Sequence, residues 1–600
     1  MARNKFDVDE RLEAPFNLSH LKRSMVYIRR HRFKMLLALL LSAMASASGL
    51  FGPKIMQWTL DDAVPNRDVS LLFWLALLFA ASVVVGILFT TIRSRIMAHV
   101  SQQIVYDIRE DLFSHLQKLP FSYYDSRPAG KILVRVINYV NSVADMLSNG
   151  IINTILEFVN LIFILIFMFK TNVTMSLMVV AGLPVFIAVI LLLKPRQRRA
   201  WRHLSNKSSN YTAYLAESID GVRVSQLFSR QEENIGTLQR LVESVRSAWM
   251  KAVTISFTVG ISAELLSQIV FTLMYIAGVY WLGGAIVSFG VVVAMGQYVS
   301  RFWQPIINLS NIYNMFINNI AYLERIFEAM DEPVTVDDAA DAYELPEIHG
   351  RVSFQNVSFS YEPGIPILSD ISFEVEAGES VALVGPTGAG KTTVVNLISR
   401  FYNISDGAII IDRSHDISQV TLRSLRRQMG IMLQDTFIFS GTILDNIRYG
   451  RLDATEDEVV AAAKAVRAHD FIVEMEKGYY TEVNERGSSL SQGQRQLISF
   501  ARTLIANPKI LILDEATSSI DTKTERLLQE GIKVLTAGRT SFIIAHRLST
   551  IKGCDKIMYV GDRKILETGS HDQLINLKGL YYRLYTAQSK EMGALEPIIS

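Results

Sequence analysis

Long apolar stretches dominate the first half of the chain, and no other feature constrains its fold as strongly. They cover residues 34–58, 71–95, 147–169, 174–194, 256–281 and 286–308. A helix needs about 20 mostly apolar residues to cross a bilayer, and these stretches lack the polar alternation of a water-facing helix. Core helices of soluble proteins rarely run this long without charge. The pattern therefore predicts six membrane-spanning helices.

Basic residues predict how these helices are oriented. They cluster before the first stretch, at Lys22, Arg23, Arg29, Arg30, Arg32 and Lys34, and after the fourth, at Lys194, Arg196, Arg198, Arg199 and Arg202. Because basic loops stay in the cytoplasm, the N-terminus is predicted to be cytoplasmic, and six crossings return the chain there. The polar segment at 1–34 also predicts that no cleavable signal peptide precedes the first span.

The two long connections are not loop-like. Residues 96–146 and 195–255 carry helix-forming patterns, so the spanning helices are predicted to continue roughly 30 Å beyond the bilayer at about 1.5 Å per residue. Each arm reverses at a break, one between Pro120 and Gly130 and the other around Asp220 and Gly221. Short segments at these tips are free to dock onto another domain.

The second half has ordinary mixed composition, which indicates a soluble domain, and 600 residues exceed one ordinary core. We predict a transmembrane domain at 1–330, an exposed acidic linker at 331–349, a soluble domain at 350–590 and a tail at 591–600. A net charge of +2 is too small to attract nucleic acid through the overall electrostatic field of the protein. The single cysteine, Cys554, excludes a disulfide framework and any multi-cysteine metal site.

A glycine-rich loop is the first motif of the soluble domain that indicates a binding site. It runs between a predicted strand and a predicted helix and consists of Gly385, Pro386, Thr387, Gly388, Ala389, Gly390, Lys391, Thr392 and Thr393. This G-x-x-x-x-G-K-T pattern closes backbone N–H groups around phosphate oxygens at a helix N-terminus. Lys391 is predicted to reach the β- and γ-phosphates of a nucleotide, and the Thr392 hydroxyl to bind Mg²⁺. A purely structural glycine turn is the alternative.

A second run, Lys509 to Glu515, reads as a buried strand that ends in two acids. Sites of α/β proteins form at the carboxyl edge of the sheet, which places both acids there. Asp514 is predicted to hold Mg²⁺, and Glu515 to orient and polarise the attacking water. Two solvated acids at a strand end are the alternative.

The segment Leu490-Ser491-Gln492-Gly493-Gln494, followed by ILILDEATSSID, resembles the nucleotide-binding domain of the ATP-binding cassette (ABC) superfamily. The resemblance covers the whole soluble domain. It implies that Tyr361 stacks on adenine, that Gln434 senses Mg²⁺, that Asp521 lies at a dimer seam and that His546 contacts the γ-phosphate. Glu485 and Arg486 match a loop that in exporters meets the membrane domain.

The resemblance also implies a fold, cofactors and a mechanism. The fold is a six-span helical domain like that of type IV ABC exporters, followed by an α/β P-loop domain. Two ATP molecules with Mg²⁺ are sandwiched between two such domains. The segment Ser491, Gln492, Gly493 and Gln494 of this chain binds the nucleotide that the phosphate loop of the second half-transporter holds. Closure is coupled to a switch from inward- to outward-facing through the tips at 121–130 and 217–231.

The sequence departs from the family pattern at two positions. Gln492 stands where the signature usually has glycine, and Asn484 replaces a glycine in the preceding loop. With Glu515 and His546 retained, the chain resembles the member of bacterial heterodimeric multidrug exporters that keeps the catalytic acid. A heterodimer is therefore favoured, and a homodimer stays open.

Polar residues inside the spans are candidates for substrate contact, because they are costly in a membrane. Glu157, Glu264 and Gln268 suggest a cation-accepting cavity, and Gln297, Phe302 and Trp303 add polar and aromatic surface. Interhelical hydrogen bonding is the alternative. The function predicted is ATP-driven export of amphipathic drugs or lipids across the cytoplasmic membrane of a bacterium. A lipid flippase and a siderophore-type importer share this layout, whereas a soluble cassette ATPase acting on DNA or ribosomes conflicts with six spans.

Overall fold

The computed structural model describes residues 18–127, 129–282, 287–362, 364–432, 436–515, 521–545 and 548–591. It divides the chain into two compact units. The first unit holds the chain up to Gln117 together with Ala129–Glu332, and the second holds Lys118–Pro128 and the chain from Pro333 onward. A short insertion from the N-terminal half therefore belongs to the second unit.

The first unit is helical throughout its regular elements. In chain order these are α1 (Leu18–Arg30), α2 (Arg32–Trp58), α3 (Val69–Leu116), α5 (Ala129–Val134), α6 (Val140–Asp145), α7 (Ile151–Thr171), α8 (Val173–Ala181), α9 (Leu183–Asp220), α10 (Val222–Leu227), α11 (Gln231–Leu282) and α12 (Phe289–Met330), while α4 (Phe121–Asp125) lies in the second unit. Single π-helical turns at Thr59–Ala63, Arg135–Tyr139 and Met146–Gly150 join some of them.

The predicted spans lie in these helices, which confirms the helical membrane domain. Within the described residues, the stretches long and apolar enough to cross a bilayer are Arg32–Ala63, Val69–Leu116, Gly130–Thr171 and Val173–Asp220. The last two predicted spans lie in α11 and α12, which have 52 and 42 residues. The part of α11 at Glu264–Gly278 is apolar but shorter than a full span.

Several helices continue well past the length of a span, as the sequence predicted. Helix α3 has 48 residues, about 72 Å at 1.5 Å per residue, against a hydrocarbon core of about 30 Å. It ends at Leu116, shortly before the predicted break, and α9 ends at Asp220 with Gly221 as its C-cap. Both predicted reversals therefore fall at helix ends.

The second unit is an α/β domain with small accessory sheets. Its strands are β1 (Val352–Phe359), β2 (Leu368–Val375), β3 (Ser380–Val384), β4 (Asp406–Ile411), β5 (His415–Asp416), β6 (Met429–Met432), β7 (Gly441–Thr442), β8 (Glu482–Val483), β9 (Ile510–Glu515), β10 (Thr540–Ala545), β11 (Lys556–Gly561) and β12 (Lys564–Gly569). Its helices are α13 (Lys391–Ile398), α14 (Leu422–Arg427), α15 (Ile443–Arg448), α16 (Glu456–Ala465), α17 (His469–Val473), α18 (Gln492–Ile505), α19 (Thr522–Thr536), α20 (Leu548–Lys552), α21 (His571–Leu577) and α22 (Leu580–Glu591).

The main sheet has the order β12-β11-β3-β10-β9-β6. Strands β11, β3, β10, β9 and β6 are parallel, and β12 is antiparallel to β11. Every residue of β10 is buried, as expected for a parallel strand covered on both faces. Because parallel strands end at one edge, the carboxyl ends of β3 and β9 lie on the same side of the sheet. An antiparallel sheet, β2-β1-β4-β5, accompanies it.

The acidic segment before the second unit is less exposed than the sequence predicted. Val336, Leu345 and Ile348 are buried, and the Arg400 guanidinium donates a hydrogen bond of 2.8 Å to the carbonyl of Asp337. The expectation of a freely exposed linker was wrong for these residues. Leu345 and Ile348 belong to a hydrophobic core of the second unit, although the composition of the segment is acidic.

Candidate nucleotide-binding site

The glycine-rich loop connects β3 to α13 at the carboxyl edge of the main sheet. Lys391, the first residue of α13, is buried, and its ammonium donates hydrogen bonds of 2.9 Å to the carbonyls of Gly385 and Pro386. Burial lowers the pKa of the Lys391 ammonium, and the negative charge of Asp514 opposes this shift. The structure thus places a partly desolvated cation across the loop, next to an acid from another strand.

Two glycines of the loop differ in what surrounds them, and this difference yields a prediction. Both have positive φ, 141° at Gly385 and 81° at Gly388. A Cβ at Gly385 would lie 2.1 Å from the carbonyl oxygen of Val560, whereas one at Gly388 would meet nothing within 4 Å. Positive φ costs a residue with a Cβ about 1–2 kcal/mol, and overpacking adds about 1–3 kcal/mol.

We therefore expect Gly385→Ala to destabilise the protein more than Gly388→Ala. The measurement is the thermal unfolding midpoint of the purified full chain in detergent without nucleotide. Gly388→Ala is the matched control, since it shares the backbone strain without the contact. Equal midpoints for the two variants would contradict the close approach of Val560.

The residues that follow Lys391 face different surroundings. The side chain of Thr392 is exposed and that of Thr393 is buried. The Thr393 hydroxyl lies 3.2 Å from the hydroxyl of Tyr361, whose ring is 47% exposed. The Tyr361 ring meets the ring of Tyr402 edge-on, with 5.0 Å between centroids. An accessible aromatic ring is therefore linked by a hydrogen bond to the helix that follows the glycine-rich loop.

The two predicted acids end β9. Ile544 of β10 pairs with Asp514, and Ala545 pairs with Glu515, so β10 alone separates the acids from β3 in the sheet. The electrostatic effect of Asp514 on Lys391 shows that its carboxylate acts on the loop. The backbone of Glu515 is described, and its side chain lies outside the description, as do the predicted Gln434 and His546.

The segment at 491–494 forms the beginning of α18. Ser491 is the N-cap: its hydroxyl accepts from the N–H of Gln494, and the Gln494 side chain accepts from the N–H of Ser491. This capping box fixes the helix start. Gly493 is buried, while the Gln492 side chain is exposed. Among the described residues no hydrogen bond joins this helix start to the glycine-rich loop of the same chain.

Asp521 caps the following helix. Its carboxylate accepts hydrogen bonds from the N–H groups of Lys523 and Thr524, at 3.1 and 3.0 Å. The hydrogen bond with the Thr524 side chain, and then those with the backbone, lower the pKa of Asp521. The residue is therefore held as a carboxylate at the start of α19.

The short helix α4, one of the predicted tips, packs within the second unit. The Phe121 and Phe401 rings have centroids 4.4 Å apart, and the Tyr402 hydroxyl donates to the Asp125 carboxylate. Tyr402 thus contacts both α4 and Tyr361. The other predicted tip, residues 217–231, contains α10 and carries exposed apolar side chains at Leu227 and Phe228.

Residues that the sequence reasoning missed lie in the membrane half. Arg93 and Arg301 line a polar cavity of about 590 Å³ together with the predicted Glu157. Their charge inside apolar stretches was the signal that could have identified them. Phe302 and Trp303, predicted to add aromatic surface, are almost fully buried, and the Trp303 ring is tilted against that of Phe186 with 4.6 Å between centroids. Glu264 accepts a 3.1 Å hydrogen bond from Gln268 on one exposed helix face.

Comparison with known proteins places the chain in a family. Residues 35–306 match the ABC transporter transmembrane region and residues 368–518 match the ABC transporter family. The ABC transporter ATP-binding protein YknV of Bacillus subtilis is 39% identical over 585 residues, which cover 97% of each chain. A fatty acid ABC transporter ATP-binding/permease protein of Mycobacterium tuberculosis is 36% identical over 527 residues, 88% of this chain and 82% of that protein.

A solved structure agrees with these relatives. The structure of a bacterial Atm1-family ABC exporter with ATP bound matches with a TM-score of 0.77 and 29% identity, covering 94% of this chain and 98% of that one. The match includes both the helical half and the α/β half. The chain therefore belongs to the ABC transporter family, as an exporter half-transporter in which a multi-pass membrane domain is joined to an ATP-hydrolysing domain.

Proposed function

We propose that this chain, paired with a second half-transporter, uses MgATP to export amphipathic small molecules, drugs or lipids, across the cytoplasmic membrane of a bacterium. The observation that carries the proposal is the carboxyl edge of the main sheet, where Lys391 and the charge of Asp514 meet. That edge belongs to the same chain as helices able to span a bilayer. The relative named for fatty acid transport supports an amphipathic cargo.

In this proposal each group of the site has one role. Lys391 and the backbone of the glycine-rich loop bind the β- and γ-phosphates, and Tyr361 offers its exposed ring to adenine. Thr392 and Asp514 supply the oxygen ligands that Mg²⁺ prefers. Bound Mg²⁺ would neutralise charge that develops on the transferred phosphoryl group. Glu515 then orients the attacking water.

The remaining predicted residues serve the same reaction in this proposal. Gln434 and His546 respond to Mg²⁺ and γ-phosphate, and Asp521 lies at the seam between the two nucleotide-binding domains. The helix start at Ser491 and Gly493 faces the nucleotide of the other half-transporter, since a helix N-terminus favours phosphate. Nucleotide-driven closure is transmitted through α4, because Tyr402 contacts both Asp125 and Tyr361.

We favour a heterodimer in this proposal. Gln492 places an exposed side chain at a helix start that in the family pattern carries glycine, so this chain offers a modified surface to the nucleotide of its partner. Combined with the retained Glu515, this is consistent with a pair of different half-transporters whose two nucleotide sites are not equivalent. A tagged copy that recovers a second, different half-transporter from the membrane would support the pairing; recovery of this chain alone would support a homodimer.

The function is tested by transport in proteoliposomes that contain the transporter as it is purified with its partner. We expect MgATP outside the vesicles to drive an amphipathic dye or a fluorescent short-chain phospholipid into the lumen, because nucleotide-binding domains outside give inward accumulation for an exporter. Vesicles that receive ADP are the control. Depletion of preloaded compound would instead indicate an importer. ATP hydrolysis with no movement of either class would contradict the proposal.

A further inference from the structure

A polar cavity lies among helices of the first unit that are predicted to cross the membrane. It has a volume of about 590 Å³ and is bordered by α2, α3, α7 and α12. The charged and amide-bearing residues that line it are Arg93, Glu157, Asn160, Arg301, Gln304 and Asn308. Apolar lining from Leu50, Leu156 and Ile164 completes the wall. The cavity therefore combines polar and apolar surface, as an amphipathic ligand requires.

The carboxylate of the cavity is already engaged. The Asn308 amide donates a 2.7 Å hydrogen bond to Glu157, and the Asn308 carbonyl oxygen accepts one of 2.9 Å from Gln304. This chain of hydrogen bonds holds Glu157 against α12. The sequence suggested that Glu157 accepts a cation. In the structure two arginines, Arg93 and Arg301, line the same cavity, so the net charge of its lining is positive.

Arg301 is positioned by a hydrogen bond to a backbone carbonyl of α2. Pro53 lies inside that helix and has no N–H, so the carbonyl of Gly49, four residues earlier, lacks its helical donor. The Arg301 guanidinium supplies one, with a hydrogen bond of 2.6 Å. A guanidinium has five N–H donors, and this contact uses one of them. The carbonyl that Pro53 leaves without a helical donor thereby holds the Arg301 cation beside the cavity.

Arg93 is the group that points to a ligand. Its Nε is buried and has no hydrogen-bond partner within the described part of the chain. A buried donor without an acceptor is costly, and a charged one inside an apolar bundle more so. An acceptor that enters the cavity with negative charge would remove both costs, because guanidinium groups bind carboxylate and phosphate in bidentate geometry.

We propose that this cavity is a subsite for the anionic headgroup of an amphiphile, a carboxylate or phosphate ester carried on an apolar chain. Arg93 binds the anion, Arg301 adds positive charge from its fixed position, and the Glu157–Asn308–Gln304 chain orients the polar wall. The proposal deepens the transport function proposed above and rests on it. It names anionic amphiphiles as the cargo class that this transporter binds best.

The test is equilibrium binding of radiolabelled dodecyl phosphate to the full transporter in lipid nanodiscs without nucleotide. Three competitors are used. Dodecanol tests the alkyl chain without charge, dodecyltrimethylammonium tests the same alkyl chain with a positive charge, and inorganic phosphate tests the anion without an alkyl chain. The variants are Arg93→Gln, which removes the charge, and Arg93→Lys, which retains it. Arg95→Gln is the matched control, since Arg95 is exposed on the same helix and does not line the cavity.

We expect Arg93→Gln to weaken dodecyl phosphate binding about 10- to 100-fold, the size of one charge-assisted hydrogen bond. Arg93→Lys should weaken it less, because lysine retains the charge and loses only the bidentate fork, and Arg95→Gln should bind like the unmodified protein. Inorganic phosphate should compete poorly, because it lacks the chain. On the unmodified protein, dodecanol or dodecyltrimethylammonium that competes as well as unlabelled dodecyl phosphate would overturn the proposal, and this result does not require any variant to fold. Strong competition by inorganic phosphate would overturn it as well. If transport of neutral or cationic amphiphiles proceeds while these binding results fail, the transport function stands and the anionic subsite falls.

Discussion

Replacing Glu515 by glutamine is expected to lower the rate of ATP hydrolysis roughly 10²–10⁴-fold, the usual contribution of a group that takes or orients the proton of a nucleophile. The backbone of Glu515 is fixed by its pairing with Ala545 at the end of β9, one residue after Asp514. Glutamine keeps the size of the side chain and removes its charge, so nucleotide should still bind. The measurements are kcat for phosphate release and Kd for ATP on the same preparation.

The matched control is Glu474→Gln, which makes the same chemical change at an exposed position after α17 and should leave kcat unchanged. In a heterodimer the loss is expected to appear in full only if the partner lacks its own acid, so the partner recovered with the tagged chain is sequenced first. Undiminished hydrolysis by Glu515→Gln in a complex whose partner lacks the acid would remove Glu515 from the reaction.

Replacing Lys391 by alanine is expected to raise the Kd for ATP roughly 10- to 100-fold, since hydrogen bonds from a charged donor contribute about 1.5–3 kcal/mol and about 1.4 kcal/mol corresponds to a factor of ten. The Lys391 ammonium is buried and lies 2.9 Å from the carbonyls of Gly385 and Pro386, at the mouth of the loop. Its lowered pKa reflects a cation that has lost water. Phosphate oxygens would replace part of that lost hydration.

Binding of a non-hydrolysable ATP analogue, measured by titration calorimetry, checks this prediction. Lys464→Ala is the control, because Lys464 is an exposed lysine of α16 and its removal changes the net charge equally. The thermal midpoint without nucleotide is recorded for both variants, since Lys391 also bridges two loop carbonyls. An unaltered Kd at an unaltered midpoint would refute the phosphate-binding role of Lys391.

The sequence alone was sufficient to predict the membrane helices and the family. Apolar length is a local property, and it predicted membrane helices that the structure confirms, together with the helix-forming patterns that continue past them. The pattern around Lys391 and the acids after Leu513 are likewise contiguous, because a loop, a helix start and a strand end are each built from neighbouring residues. Their spacing was therefore readable before any fold was known.

Tertiary structure decided which of these local features meet. Asp514 influences Lys391 because β9 and β3 both run parallel to β10, so that their carboxyl ends lie at one edge of the sheet. Tyr361 contacts Thr393, which is 32 residues away in the sequence. Leu345 and Ile348 also pack in a core of the second unit, which the acidic composition of their segment did not predict.

The membrane cavity shows the same limit most clearly. Glu157 by itself favoured a cation, and only the approach of α2, α3, α7 and α12 placed Arg93 and Arg301 around it. The physical reason is that sequence periodicity reports the free energy of local conformation and burial. The sign of a cavity's charge, in contrast, depends on groups that are far apart along the chain and are brought together by helix packing.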